Sequence, residues 1–236
     1  MKKPKVSFLF VRLVVWSIVI FVAFMGILAT KFYLWEGFQV PSASMTPTLR
    51  VGDVVWVNKY AYGLDTPLYK SKKIPPKRGD VIVFVHPTTL EYYIKRVIGL
   101  PGDSVMILGR DIYINGSSIE KYTRNNKITE MIDETWGVSS GKAYKVSTKF
   151  SLPYNVVFTN EKQSWSLSGK WVVPDNNLFV LGDLRDESSD SREWGFVPMG
   201  NLVGQAYCQI DAGYVDKNSY VIEGRTGCTH GFAVDF

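Results

Sequence analysis

The sequence predicts a mainly β protein, in which an antiparallel β domain with a smaller inserted β subdomain follows one N-terminal transmembrane helix. Three observations support this fold class. An uncharged apolar run occupies 13–30, short apolar segments rich in β-branched residues follow it, and no long amphipathic helical period appears after the run. The composition, 46% apolar and 21% charged, is that of a folded chain and not of a disordered one.

The apolar run is the first predicted element. Together with its apolar flank it approaches the roughly 20 residues that cross a bilayer as a helix. The basic residues before the run are Lys2, Lys3, Lys5 and Arg12. The positive-inside rule therefore predicts a cytoplasmic N-terminus and an outer location for the rest of the chain. A cleaved signal peptide is the alternative, although bulky Ile27 lies two residues before the best exit, after Ala29.

The segments after the run read as strands and hairpins. Five of them have the expected pattern: 51–57, 80–85, 92–98, 112–119 and 178–181. Asn115-Gly116 is a strong hairpin signal, which favours antiparallel pairing and a partly closed sheet. We expect four parts: 1–34 as N-terminus and anchor, 35–103 with 173–210 as the main β domain, 104–172 as the inserted subdomain, and 211–236 as a C-terminal tail.

Charge and cysteine content exclude several function classes. The net charge of +5 comes without a nucleic-acid-binding motif, so no nucleic-acid partner is expected. His86, His230, Cys208 and Cys228 are not spaced like the ligands of a zinc site, and no metal is expected. A Cys208–Cys228 disulfide and two unpaired cysteines both remain open.

The segment 58–78 is basic and aromatic. A solvated loop explains it, and a surface that faces anionic lipid headgroups is the sharper hypothesis.

A candidate nucleophile lies soon after the apolar run. In PSASMTPTL, 41–49, prolines that restrict φ flank Ser42 and Ser44. A serine hydroxyl is a weak nucleophile and needs a base. His86 reads as a surface-turn residue before Pro87 and His230 lies in a glycine-rich tail, so a Ser-His-Asp triad has little support.

Lys95 is the other candidate base. It lies in the apolar strand pattern YIKRVI, on the same face as Tyr93 and Val97. Burial there would lower the pKa of its amine and free the amine to accept a proton. An exposed lysine on an edge strand is the alternative. A Ser-x-x-Lys match at 139–142 lacks the Ser-Asp-Asn element that accompanies this motif in penicillin-binding enzymes, and we treat it as chance.

Four segments together resemble the conserved boxes of type I signal peptidases: 41–49, 78–84, 93–103 and 182–198. They occur in the family's order behind a membrane anchor. The resemblance covers about 35–104 and 172–207, and it says little about the segment between them or about the tail.

The resemblance implies a Ser/Lys dyad. Ser44 would attack the scissile carbonyl and Lys95 would accept its proton. Ser42 would form the oxyanion hole together with the Ser44 backbone N–H. Ser188 would hydrogen-bond the Lys95 amine and orient it.

The remaining implied roles support the site or bind the substrate. The supporting charged residues are Asp183, Arg185, Asp190 and Arg192, of which the last two would form an ion pair. The pockets for a substrate that adds as a β-strand would be lined by Val40, Pro41, Tyr93 and Ile94. Leu184 and Glu187 stand where the family commonly has asparagine, and Glu187 adds a charge near the site.

The implied activity is that of a serine endopeptidase without a cofactor, which removes signal peptides from exported preproteins after small-x-small motifs. Its partners would be those signal peptides and membrane phospholipid. The expected location is the bacterial inner (plasma) membrane, single-pass, with the catalytic domain outside. The alternatives are a specialised relative that processes a pilin or conjugation protein, and a non-catalytic membrane-tethered β domain.

Overall fold

The computed structural model describes residues 8–63, 72–132, 136, 138, 141–151, 153–159 and 168–210. The predictions about the 211–236 tail, His230, and the Cys208–Cys228 pair lie outside the described residues or side chains, as does much of the lipid-facing hypothesis for 58–78.

Helix α1, Phe8–Leu34, contains the apolar run and leads directly into the first strand. Its window Phe10–Ile27 is long and apolar enough to cross a membrane, and none of that window is buried against the described protein. A helix that is apolar around its whole circumference and packs on no protein is consistent with a membrane span.

The rest of the described chain is mainly β, as predicted. The strands are β1 Trp35–Gln39, β2 Val54–Asn58, β3 Val81–Val85, β4 Tyr92–Gly99, β5 Ser104–Leu108, β6 Asp111–Ile114, β7 Ser117–Ser118, β8 Lys121–Arg124, β9 Lys142–Ser147, β10 Tyr154–Phe158, β11 Gly169–Val172, β12 Asn177–Leu181, β13 Val197–Pro198 and β14 Leu202–Ile210. Two short helices complete it, α2 Asn126–Met131 and α3 Ser191–Trp194.

The strands form three antiparallel sheets. The large sheet has the order β1-β2-β14-β3-β4-β12-β13. The two smaller sheets have the orders β11-β5-β6-β7 and β10-β9-β8, and all their strands come from within 104–172, the range expected to be an insertion. Asn115 and Gly116 both have positive φ between β6 and β7, as the predicted hairpin turn requires.

Strand β4 is an interior strand of the large sheet, between β3 and β12. Apolar side chains cover both faces of the sheet around it: Ile94 packs in one core cluster, and Val97 packs in another with Ile82. A charged residue in the middle of this strand is therefore removed from water. The alternative of an edge-strand position for Lys95 is wrong, because β4 has a neighbour on each side.

Candidate active site

The loop that carries Ser44 is anchored by its own buried residues. It follows β1 and turns through a short 3₁₀ segment, Ala43–Met45, in which the amide of Thr46 donates to the carbonyl of Ala43 at 2.8 Å. Met45 and Leu49 are buried in the core cluster that also contains Val40. Apolar anchors on both sides thus hold Ser44 at a fixed bend.

Lys95 and Ser44 meet at the centre of this arrangement. The Nζ atom of Lys95 lies 2.5 Å from the Oγ atom of Ser44. The lysine is 4% exposed and the serine 9% exposed. Fifty-one residues of sequence separate the two side chains, which the fold brings into direct hydrogen-bond contact.

Burial is the main influence on the Lys95 amine, because desolvation penalises its charged form. It lowers the pKa of the amine to about 8, against the opposing effects of the Asp190 and Asp183 carboxylates, while Arg192 assists the lowering. Near neutral pH a useful fraction of the amine is therefore uncharged and can accept a proton.

Both opposing carboxylates are themselves neutralised by arginine. Arg96, which follows Lys95 in β4, binds Asp183 through Nε at 2.8 Å and Nη2 at 2.6 Å. Arg192 binds Asp190 through Nη2 at 2.7 Å. The two ion pairs keep negative charge near Lys95 from holding its amine in the cationic form.

The segment 182–192 is joined directly to the serine loop. The amide of Leu184 donates to the carbonyl of Ser44 at 3.1 Å, and Thr48 Oγ1 donates to the Asp183 carboxylate. The amide of Gly182 donates to Asp190 at 3.0 Å. A Cβ atom on Gly182 would lie 2.2 Å from the Ser188 hydroxyl and 2.5 Å from the Ser44 carbonyl oxygen, so only glycine fits there.

Ser42 lies beside the Ser44 hydroxyl, whereas Ser188 does not form the expected hydrogen bond to the Lys95 amine. Ser42 Oγ lies 3.3 Å from Ser44 Oγ, within hydrogen-bond distance of the nucleophile. Ser188 is buried, but its hydroxyl has no hydrogen-bond partner among the described residues, so the expected bond to Lys95 is not formed in this structure. The Lys95 amine instead makes its short contact with Ser44.

Arg185 is placed away from the reacting atoms. Its guanidinium binds both carboxylate oxygens of Glu120 at 2.8 Å, and both residues are fully buried. Tyr122 and Tyr154 also donate to that carboxylate. Arg185 therefore ties the 182–192 segment to the chain that follows β7.

His86 is buried, so its interpretation as a surface-turn residue is wrong. The hairpin between β3 and β4 folds back on it, and its Nδ1 accepts the amides of Thr88 and Thr89 at 3.2 and 3.1 Å. Its ring packs 4.6 Å from Tyr93 and 4.8 Å from Trp194, between ring centroids. It therefore packs against Tyr93, one of the residues expected to bind substrate.

A groove of about 660 Å³ opens over Ser44 and Lys95. Its lining includes all four residues expected to bind substrate: Val40, Pro41, Tyr93 and Ile94. The other lining side chains, apart from Ser44 and Lys95, are apolar or aromatic and polar in equal number, and Glu91 and Glu187 are the acidic ones. Its volume is within the range of ligand-binding clefts.

Sequence reasoning missed three partners in this region: Arg96, Thr48 and Glu120. Arg96 carried a usable signal, because it is a second charged residue inside an apolar strand pattern. Thr48 and Glu120 carried none, since their partners are distant in the sequence.

Comparison with known proteins gives a consistent set of relatives. The family described as signal peptidase, peptidase S26, matches residues 12–210. The signal peptidase I of Pseudomonas aeruginosa is 37% identical over 197 residues, which cover 77% of this chain and 66% of that protein. The signal peptidase I of Buchnera aphidicola subsp. Baizongia pistaciae is 33% identical over 228 residues, covering 78% of this chain and 74% of that protein.

A crystal structure of a signal peptidase I from Enterococcus faecalis is also similar, at 26% identity with a TM-score of 0.35. It covers 56% of this chain and 97% of the other.

Proposed function

The chain belongs to the S26 family of signal peptidases, and we propose that it is a membrane-bound serine endopeptidase that removes signal peptides from exported preproteins. The observation that carries the proposal is the 2.5 Å contact between the Lys95 amine and the Ser44 hydroxyl in a buried setting. A serine next to an amine with a pKa of about 8 has the base that its hydroxyl needs.

The proposed reaction proceeds through an acyl-enzyme. Lys95 takes the proton of the Ser44 hydroxyl as its oxygen attacks the scissile carbonyl. The Ser42 hydroxyl and the Ser44 backbone N–H stabilise the oxyanion, and Lys95 then gives its proton to the leaving amine. Water, activated by the same amine, hydrolyses the ester and restores Ser44.

The proposed specificity follows from the groove. A substrate segment adds as a β-strand along the start of β4, where Tyr93 and Ile94 line the groove opposite Val40 and Pro41. These close apolar walls favour small side chains at the −1 and −3 positions. Because side chains alternate along a strand, the −2 side chain points elsewhere and is free to vary.

The proposed location is the bacterial inner membrane, with the N-terminus in the cytoplasm and the β domain on the outer face. The exposed apolar window Phe10–Ile27 and the basic residues before it support this orientation. Because β1 follows α1 without a linker, the groove residues after β1 would lie near the lipid surface, where signal peptides end.

The test is cleavage of a preprotein with small residues at −1 and −3 by the full chain in detergent, with the product mapped by mass spectrometry. We expect one cut after the −1 residue, and a loss of about 10⁴-fold or more in kcat for Ser44→Ala. Absence of turnover by the unaltered protein would instead favour a non-catalytic tethered domain.

A further inference from the structure

Glu187 is an acidic residue whose carboxylate has no partner in the groove. It is exposed, it lines the same groove as Ser44 and Lys95, and no described residue forms a hydrogen bond or ion pair with its side chain. The other charged side chains of its segment behave differently. Asp183, Arg185, Asp190 and Arg192 are all engaged in ion pairs. Glu187 is therefore not needed for the internal structure of the segment.

The position of Glu187 places it close to the nucleophile. Its amide donates to the carbonyl of Leu184 at 3.3 Å, and the amide of Leu184 donates to the carbonyl of Ser44 at 3.1 Å. The next residue, Ser188, has its hydroxyl packed against Gly182, which also lies against the Ser44 carbonyl. Glu187 thus belongs to a turn that touches the backbone of the nucleophile.

This turn belongs to a different segment of the chain from the residues proposed to bind the signal peptide. Tyr93 and Ile94 precede Lys95 in β4, and Val40 and Pro41 precede Ser44 in its loop. The turn that carries Glu187 instead contacts the carbonyl end of Ser44. The groove therefore has lining beside Ser44 that the residues proposed to bind the signal peptide do not supply.

The charge balance of the groove is unfavourable for acidic substrates. Lys95 is the cation among the described lining residues, and it is buried and bonded to Ser44. Glu91 is the second acid, four residues before Lys95 and so about 13 Å away along an extended chain. Glu187 is an exposed acid on the turn that contacts the Ser44 backbone. An unpaired charge in a cleft attracts substrates of the opposite sign.

We propose that Glu187 determines specificity on the leaving side of the groove and favours lysine or arginine in the first two residues after the cut. The proposal rests on the signal-peptide cleavage proposed above, and it adds a charge preference that small-x-small recognition does not contain. Since the carboxylate is exposed, the effect is modest: about two- to fivefold in kcat/KM, the size expected for a solvent-exposed ion pair. It should weaken as ionic strength rises.

The experiment uses three preproteins that differ only in the first residue after the cut, which is lysine, glutamine or glutamate. The kcat/KM values are measured at low salt with the full chain in detergent. We expect the unaltered enzyme to prefer lysine over glutamate, Glu187→Gln to remove the preference, Glu187→Lys to invert it, and Glu187→Asp to keep it. Glu193→Gln is the matched control, because Glu193 is exposed in α3 and does not line the groove.

The ratio of two substrates is taken within each variant, so differences in the amount of active enzyme cancel. Equal lysine-to-glutamate ratios in the unaltered enzyme and in Glu187→Gln would overturn the inference. Cleavage of the glutamine substrate tests the proposed function separately. If that substrate is cleaved, the proposed function stands even when the charge preference fails.

Discussion

Arg96 and Asp183 form a buried, two-point ion pair directly beside Lys95. The guanidinium binds both carboxylate oxygens, at 2.8 and 2.6 Å, and the two side chains are 3% and 0% exposed. The guanidinium also donates to the carbonyl of Gly79 and to Thr48. Arg96 thus pairs with Asp183, and its neighbour in β4, Lys95, contacts Ser44.

Removal of one partner of this pair should destabilise the protein strongly. In Asp183→Ala, Arg96 would remain buried without its counter-charge, at a cost of about 3–5 kcal/mol. Thermal unfolding in detergent should show a Tm lower by roughly 6–20 °C. Glu36→Ala breaks the exposed Lys59–Glu36 pair and should cost about 1 kcal/mol or less. Similar Tm shifts for the two variants would contradict this reading of the pair.

The pH profile of the reaction should respond to Asp190. The kcat/KM of the unaltered enzyme should rise with pH through a midpoint near 8, because the base is the uncharged form of Lys95. Asp190 raises the pKa of this amine, so Asp190→Asn should move the midpoint of the profile to lower pH. Asparagine can still cap α3.

The control for this shift is Asp111→Asn, because Asp111 lies on β6 and does not line the groove. Its profile should match that of the unaltered enzyme. A midpoint that stays in place or moves to higher pH in Asp190→Asn would argue against the proposed electrostatics.

Ser42 should act on the transition state and not on substrate binding. Its hydroxyl lies 3.3 Å from Ser44 Oγ. Loss of one oxyanion donor lowers kcat by about 10²–10³-fold, so Ser42→Ala should show that loss with little change in KM. Ser42→Thr keeps the hydroxyl and should recover much of the activity, while Ser189→Ala in the groove lining is the control. An unchanged kcat in Ser42→Ala would exclude the role.

Gly182 should tolerate no side chain. The Cβ atom of Gly182→Ala would lie within 2.5 Å of both the Ser188 hydroxyl and the Ser44 carbonyl oxygen. We expect a cost of about 1–3 kcal/mol from overpacking, together with a lower kcat because the Ser44 backbone is displaced. Gly200→Ala has no atom within 4 Å of its new Cβ and serves as the matched control. Equal activity of Gly182→Ala and Gly200→Ala would contradict this prediction, because it would mean that the Ser44 loop accommodates the added Cβ atom.

The sequence predicted the parts of the fold that local patterns specify. The continuous apolar, β-branched run of 80–85 predicted β3, and Asn115-Gly116 predicted the turn between β6 and β7. Strands β1 and β14 were not predicted, because their residues acquire a clear inner and outer face only when they pair with β2. A β subdomain was expected in 104–172, but the individual strands β8 to β10 were not specified, since polar residues are mixed with apolar ones along them.

The residues of the candidate site could be predicted from their motifs, but the long-range contacts between them could not. Ser44 and Lys95 each stood out in a short segment, while composition alone favoured an exposed lysine. Burial of Lys95 depends on β12 lying beside β4, a contact that no local pattern encodes. The same holds for Arg96 with Asp183 and for Arg185 with Glu120, whose partners are 87 and 65 residues apart.

The most direct test of the account is the pKa of Lys95 itself, measured by NMR of ¹³Cε-labelled lysine in the detergent-solubilised full chain. Lys95→Met identifies the resonance. The structure predicts a titration near pH 8, lower than the ordinary lysine value of 10.5. A resonance that titrates near 10.5 would mean a permanently cationic amine at neutral pH, and Lys95 could not then be the base for Ser44.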